Sequence, residues 1–208
     1  MMQDALDKML LNYAAGMLSA EESLLVAALS ALDPGARRRV ARYEALGGCV
    51  LEDEAPAAVG CLEAVLKKID TCCDVEQCPP PSLPEPLARL LAGCTRDDQA
   101  CWGRARGGIA RIELRITPSP RARLTLMRVA PNTAVPAHSH GGTEITLVLD
   151  GGYSDAFGEY RRGDVSIVAD AHVVHSPRSG PNGCLSLVYC DGPLRFTNPL
   201  YFLIGLLR

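Results

Sequence analysis

Apolar positions in the first seventy residues recur at helical spacing. Leu6, Met9, Leu10, Tyr13 and Ala14 fall three and four residues apart, which puts them on one face of a first helix that Gly16 can close in the left-handed conformation. Ser19-Ala-Glu-Glu22 has the form of a capping box and opens a second helix running to Leu32. Leu24, Leu25, Val26, Ala27, Ala28, Leu29 and Leu32 leave that helix little polar face, so it must lie buried between neighbours or against a partner. Asp33-Pro34 supplies an N-cap and a proline at the first position of a third helix, predicted to end at Gly47-Gly48. Arg37, Arg38, Arg39 and Arg42 mark its solvated face. A further helix is predicted over 60–69, with Val59, Leu62, Val65, Leu66 and Ile69 as its apolar stripe.

The pattern then changes. Cys72, Cys73 and Cys78 lead into Pro79-Pro80-Pro81-Ser-Leu-Pro84-Glu-Pro86, a proline density that sustains neither a helix nor a central strand. From about residue 87 the apolar period shortens to two, most cleanly in Ala110-Arg-Ile112-Glu-Leu114-Arg-Ile116. Further strands are predicted at 124–129, 145–149 (ending at Asp150-Gly151), 165–168 and 184–189, separated by Pro, Gly, Asn and Asp. Short strands at this spacing indicate a sandwich or barrel. The predicted fold class is therefore α+β in two domains: a small helical bundle over 1–70, a Cys/Pro-rich linker over 71–86, and an all-β domain over 87–208.

Composition narrows what such a chain does. With 208 residues and 48% hydrophobic positions it has ample material for a core. A net charge of -3 and a pI near 5.8 provide no general field for polyanions, which argues against direct nucleic-acid binding and for a protein partner or small ligand. The acidic start MMQDALDKML does not read as a signal peptide, and the apolar run Leu200–Leu207 is far short of the ~20 residues that span a bilayer. A cytoplasmic protein without a membrane anchor is expected. Nine cysteines, an odd number without the spacing of a disulfide framework, read as reduced thiols.

The candidate chemistry is concentrated in one window. All four histidines lie between 138 and 175, in Pro-Ala-His138-Ser-His140-Gly-Gly-Thr-Glu144 and His172-Val-Val-His175. On a strand, His138 and His140 leave the same face. Gly141-Gly142 can turn the chain so that Glu144 faces back toward them, and a strand after Gly163-Asp164 delivers His175, with His172 in reserve. Three imidazoles and one carboxylate suit Zn, Fe, Mn, Ni or Cu and leave a coordination position for water or a ligand.

His-x-His-x-x-x-Glu, then six residues and a glycine, then Gly-Asp and a distal histidine resembles the two-part metal motif of the cupin superfamily. His175 lies one residue farther from Gly163-Asp164 than that pattern has it, which calls for a one-residue bulge. Leu11-Asn-Tyr13-Ala-Ala-Gly16-Met-Leu18-Ser19, the apolar second helix, Ala45-Leu-Gly-Gly48 and Pro193-Leu-Arg-Phe196 together resemble the ChrR family of anti-sigma factors, nearly end to end. The resemblance implies a jelly-roll cupin barrel in the C-terminal half and an N-terminal bundle that wraps an extracytoplasmic-function sigma factor. It also implies a stress signal sensed by the cupin, one divalent metal held by His138, His140, Glu144 and His175 (zinc first; iron, manganese or nickel fit the same donors), and a small-molecule ligand site. Family members usually hold a second zinc in the helical domain. Here Ala28, Leu32 and Gly35 stand at three of those ligand positions, no histidine precedes 138 and no cysteine precedes 49, so that zinc cannot form. The alternative is a mononuclear metal-dependent cupin enzyme, dioxygenase-like, whose helical half serves for docking; a regulatory cupin rather than an enzyme is the preferred expectation.

Overall fold

The computed structural model describes residues 2–52, 54–55, 63, 66–67, 83–91, 102, 105–114, 116–117 and 122–198. Cys72, Cys73 and Cys78, the prolines up to Pro81, most of the predicted helix over 60–69 and the run Leu200–Leu207 lie outside the described residues. Three helices open the chain: α1 (Met2–Ala14), α2 (Ala20–Leu32) and α3 (Pro34–Glu52). Their ends follow the local chemistry. Gly16 takes φ +67° after α1. The Ser19 side chain accepts from the Glu22 amide while Glu22 reaches back to the Ser19 amide, and the Asp33 carboxylate accepts from the amides of Gly35 and Ala36.

Helix α3 does not stop at Gly47-Gly48 as predicted but runs to Glu52. A methyl group at either glycine would meet open space, so nothing forces the chain to turn there, and the helix absorbs the weak propensity, about 1 kcal/mol per glycine. The next helix bounded by described residues, α4 (Glu85–Leu90), begins within the predicted linker, with Pro86 in its first turn, where a missing amide costs no hydrogen bond.

Among the described residues eight strands follow: β1 (Ile109–Leu114), β2 (Arg123–Val129), β3 (His138–His140), β4 (Glu144–Asp155), β5 (Gly158–Arg161), β6 (Val165–Val168), β7 (Arg178–Cys190) and β8 (Leu194–Phe196). They form a six-stranded antiparallel sheet in the order β1-β2-β7-β4-β5, with β6 also on β4, and a two-stranded sheet of β3 and β8. Strand β4 continues through Asp150-Gly151, where a strand end was predicted. Its register against β7 shifts between Val148 and Asp150 and again between Gly151 and Tyr153, so the dipeptide is a bulge within a longer strand. Gly151 is at φ +68° with the Gly183 carbonyl packed where a Cβ would stand, which only glycine permits.

The large sheet is buried on both faces, and the period-two alternation sorts its residues. Leu114, Leu124, Leu126, Ile145, Leu147, Leu149, Leu185, Leu187 and Tyr189 share one core cluster with Met9, Leu10, Leu25, Leu29 and Leu87 of the helices. Ile109, Val129, Val148 and Cys184 point the other way and form a second cluster with Val135 and Tyr160. Thus α2, which the sequence required to be covered by neighbours or a partner, is covered from within: it packs against α1, α3, α4, β4 and β7. A polar clasp seals this contact. Glu21, 2% exposed, accepts from the Thr117 amide (3.1 Å) and hydroxyl, and Ser19 at the helix cap lies near Tyr189 of β7. Burial, with the nearby Glu22 and Asp191 charges, pushes the Tyr189 hydroxyl up to about 12 against the influence of the Ser19 hydroxyl.

Candidate metal centre

His138 and His140 both point from one face of the short strand β3, and both are buried. Backbone pairing sets their partners. The amide and carbonyl of His138 bond the carbonyl and amide of His175, both at 3.0 Å, which fixes two segments 37 residues apart face to face. The extra residue before His175, expected as a strand bulge, is taken up by a turn in which Asp170 receives the amides of His172 and Val173. His172 is left exposed, away from the other three imidazoles.

Gly141 and Gly142 turn the chain from β3 to Glu144, as predicted, and their second role was not legible in the sequence. The loop from Cys190 to Pro193 lies directly against them: a methyl at Gly142 would collide with the Asp191 carboxylate, and one at Gly192 with the Gly142 backbone. Asp191 then accepts from the Thr143 amide at 2.6 Å, one residue before Glu144.

The result is a compact donor set. One ligand atom from each of His138, His140, Glu144 and His175 lies within 4.8 Å of all the others, and all four residues are buried. The Nε2 atoms of His140 and His175 are 3.0 Å apart. Glu144 places Oε2 2.9 Å from His140 Nε2 and Oε1 3.7 Å from His175 Nε2.

Each ring has a contact for its other nitrogen. His138 Nδ1 donates to the Pro136 carbonyl at 2.6 Å, which fixes the tautomer and leaves Nε2 as the free donor atom. His175 Nδ1 is 3.5 Å from the Asp155 carboxylate, whose side chain is 1% exposed. His140 Nδ1 lies 3.6 Å from Cys190 Sγ, and the thiol donates onward to the Gly192 carbonyl at 3.2 Å. Asp155 and Cys190 were absent from the sequence-derived site. The cue available for Cys190 was its position at the end of a period-two strand facing the window; Asp155 lies beyond a bulge that shifts the parity of β4.

Electrostatics separate the rings. Burial pulls the His138 ring down to about 4, against the Pro136 hydrogen bond and the Glu144 charge, so it is neutral at physiological pH. Burial opposes charge on His140 too, but the hydrogen bonds the ring donates to Cys190 and Glu144, with the Glu144 charge, outweigh it and push that ring up to about 9. Burial acts against the Glu144 carboxylate as well, yet the three surrounding imidazoles hold it below its ordinary range. An ionised, buried carboxylate facing three imidazole nitrogens is the chemistry of a divalent-cation site, and these four residues can hold one metal ion. The open side faces a cavity of about 130 Å³ lined in part by His138, Glu144, Tyr153 and Cys190. Burial raises the Tyr153 hydroxyl far above its ordinary value, so the phenol stays protonated there.

The contacts behind the ligands give a testable consequence. Asp155→Asn keeps the Oδ1 acceptor that caps the Phe157 amide at 2.8 Å but removes the charge behind His175. It is expected to weaken metal uptake by roughly 10–100-fold with unchanged secondary structure, read by chelator competition. Unaltered affinity would remove Asp155 from the site.

Comparison with known proteins assigns the family. Residues 93–194 match the family described as the ChrR Cupin-like domain. The anti-sigma-E factor ChrR of Cereibacter sphaeroides is 34% identical over 200 residues, covering 92% of this chain and 91% of that one. The structure of Rhodobacter sphaeroides SigE in complex with the anti-sigma ChrR superposes with a TM-score of 0.70 at 32% identity, over 89% of this chain and 96% of that one. Helices followed by an antiparallel β domain that carries a buried His3Glu cluster, matched along nearly the whole chain, place this protein in the ChrR family of anti-sigma factors with a C-terminal cupin domain.

Proposed function

We propose that this protein is a cytoplasmic anti-sigma factor that sequesters an extracytoplasmic-function sigma factor through its N-terminal helices and senses a stress signal through its cupin half. The observation that carries this reading is the match over 89% of the chain to a ChrR solved in complex with SigE, which spans the helices as well as the cupin. Among the described residues no helix is long and apolar enough to cross a membrane.

In this reading His138, His140, Glu144 and His175 bind one zinc ion. Zinc would supply Lewis acidity and a fixed positive charge at the cavity wall. The chain's own contribution is the orientation of the donors by Pro136, Asp155 and Cys190. The helical domain dispenses with zinc of its own. Ala28 is fully buried and Leu32 packs on the core, so side-chain packing occupies the positions that family members give to ligands.

The surface for the sigma factor is the second half of α3. Every residue from Glu44 to Glu52 is exposed, and among them Leu46, Val50 and Leu51 are 62%, 63% and 70% exposed. Single exposed apolar side chains are ordinary, but three within six residues at the end of one helix mark a surface that binds something. The test is co-purification of the full chain with the sigma factor encoded beside it, together with inhibition of that sigma factor's transcription in vitro. Failure of both sinks the proposal.

A further inference from the structure

The cavity beside the metal centre has an electrostatic asymmetry that the centre does not use. Its floor is the second face of the large sheet, where the registers define rows of cross-strand neighbours. One row runs Arg123, Cys190, Glu144 across β2, β7 and β4. Another sets Arg111 opposite Met127 and Met127 opposite Ser186. Arg111 and Arg123 both line the cavity, on the side away from the cluster. At the strand spacing of about 4.8 Å, the Arg123 backbone lies roughly 10 Å from that of Glu144.

Arg111 is half-buried, two residues from Glu113 on β1. Burial disfavours its charge, Glu113 on the same strand favours it, and Arg123 and Arg106 disfavour it further. A guanidinium does not shed its proton to escape such a site, so an anion in the cavity would offset the burial and the repulsion from Arg123 and Arg106 that Glu113 opposes. Between the arginines and the cluster the lining sets the apolar side chains Met127, Val135, Val188 and Leu194 among the hydroxyls of Thr125, Thr146 and Ser186. A planar cation fork at one end and an apolar body leading to a metal centre at the other specify an anion with a hydrocarbon tail. Carboxylate matches the fork with two parallel hydrogen bonds.

We propose that this cavity binds a small amphipathic carboxylate, its carboxyl group on Arg111 with Arg123 beside it and its apolar body lying over Met127 and Val188 toward the metal centre. The assignment rests on the sensory reading of the cupin half and names the chemical class of the molecule it takes. Binding itself is measurable with no sigma factor present.

The experiment titrates the full, metal-loaded chain with octanoate and with 1-octanol by calorimetry, in the wild type, Arg111→Gln and Arg123→Gln, and repeats the wild-type titration after metal is stripped. The expected result is saturable octanoate binding, weakened by about tenfold or more in Arg111→Gln. Octanol should bind the wild type no better than it binds Arg111→Gln. Arg123 is exposed, so Arg123→Gln tests the same charge with no risk to folding, and it should weaken octanoate to a lesser degree. Equal octanoate affinity in all three proteins, or binding that is lost only when metal is stripped, would place the carboxylate on the metal and overturn the proposal. So would the absence of saturable binding. Octanoate that binds as expected yet leaves the sigma complex intact would stand against the sensory reading while supporting the site.

Discussion

The purified protein is expected to carry one divalent metal ion per chain, and the His138→Ala, His140→Ala double variant none. Both rings are nearly excluded from solvent, at 4% and 1% exposed, and they supply two of the four donors. The remaining pair, Glu144 and His175, cannot close a tetrahedral shell. A metal that binds only the folded chain stabilises it by mass action, by about 2.7 kcal/mol when its free concentration is a hundred times the dissociation constant. A chelator should therefore lower the unfolding midpoint of the wild type and leave that of the double variant where it is. Elemental analysis beside chelator-dependent thermal unfolding reads both effects. A variant that keeps its metal would remove these histidines from the site. Two metals per chain in the wild type would contradict the zinc-free reading of the helical domain, where Ala28, Leu32 and Gly35 stand in place of ligands.

What the sequence made legible was whatever depends on neighbours a few residues away. The capping box at Ser19, the Asp33 cap and the left-handed Gly16 are local hydrogen-bond and sterics problems, and each appears as predicted. So do β1, β2 and β6, within about two residues at their ends, while β7 begins at Arg178, six residues before the predicted strand. The misreadings arose where a distant segment decides. Gly47-Gly48 has the composition of a helix end, but no tertiary contact asks the chain to turn there. Asp150-Gly151 has the composition of a turn, and pairing along β7 on either side holds it in one strand. Strand β3 is three residues long and exists because β8 pairs with it. The same division holds for the donor set. His138, His140 and Glu144 announce themselves by spacing, whereas Asp155 and Cys190 reach the imidazoles only through strand register.

The register also explains how a site on one side of the sheet can bear on helices at the other. Glu144 faces the cluster and its neighbour Ile145 faces the helices; Cys190 touches His140 and its neighbour Tyr189 packs in the core shared with α2, near the Ser19 cap. In a pleated strand successive side chains leave opposite faces, so the two contacts stand back to back on β7. Cluster and helix cap are thus one residue apart along β7, and Glu21, closed on Thr117, holds the helix against that sheet.

Leu46→Asp with Val50→Asp is expected to abolish capture of the sigma factor while leaving the fold and the metal content intact. The two residues are four apart on α3, on one face, and neither belongs to the buried core. Substitution at such exposed positions changes folding stability by only about 0.5 kcal/mol either way. Burial of a leucine or valine in an interface contributes roughly 1.5–3 kcal/mol each, so loss of both, with two carboxylates to desolvate, should weaken binding by roughly a hundredfold or more. The control is Arg37→Ala with Arg38→Ala, at two exposed positions near the start of the same helix, which should retain capture if the apolar end of α3 is the contact. Co-purification and in vitro transcription distinguish the pairs, with circular dichroism and metal content confirming the fold of each. Undiminished inhibition by the aspartate variant would move the sigma-binding surface away from the end of α3, whereas its loss alongside a normal chelator response would separate partner binding from the metal centre within one chain.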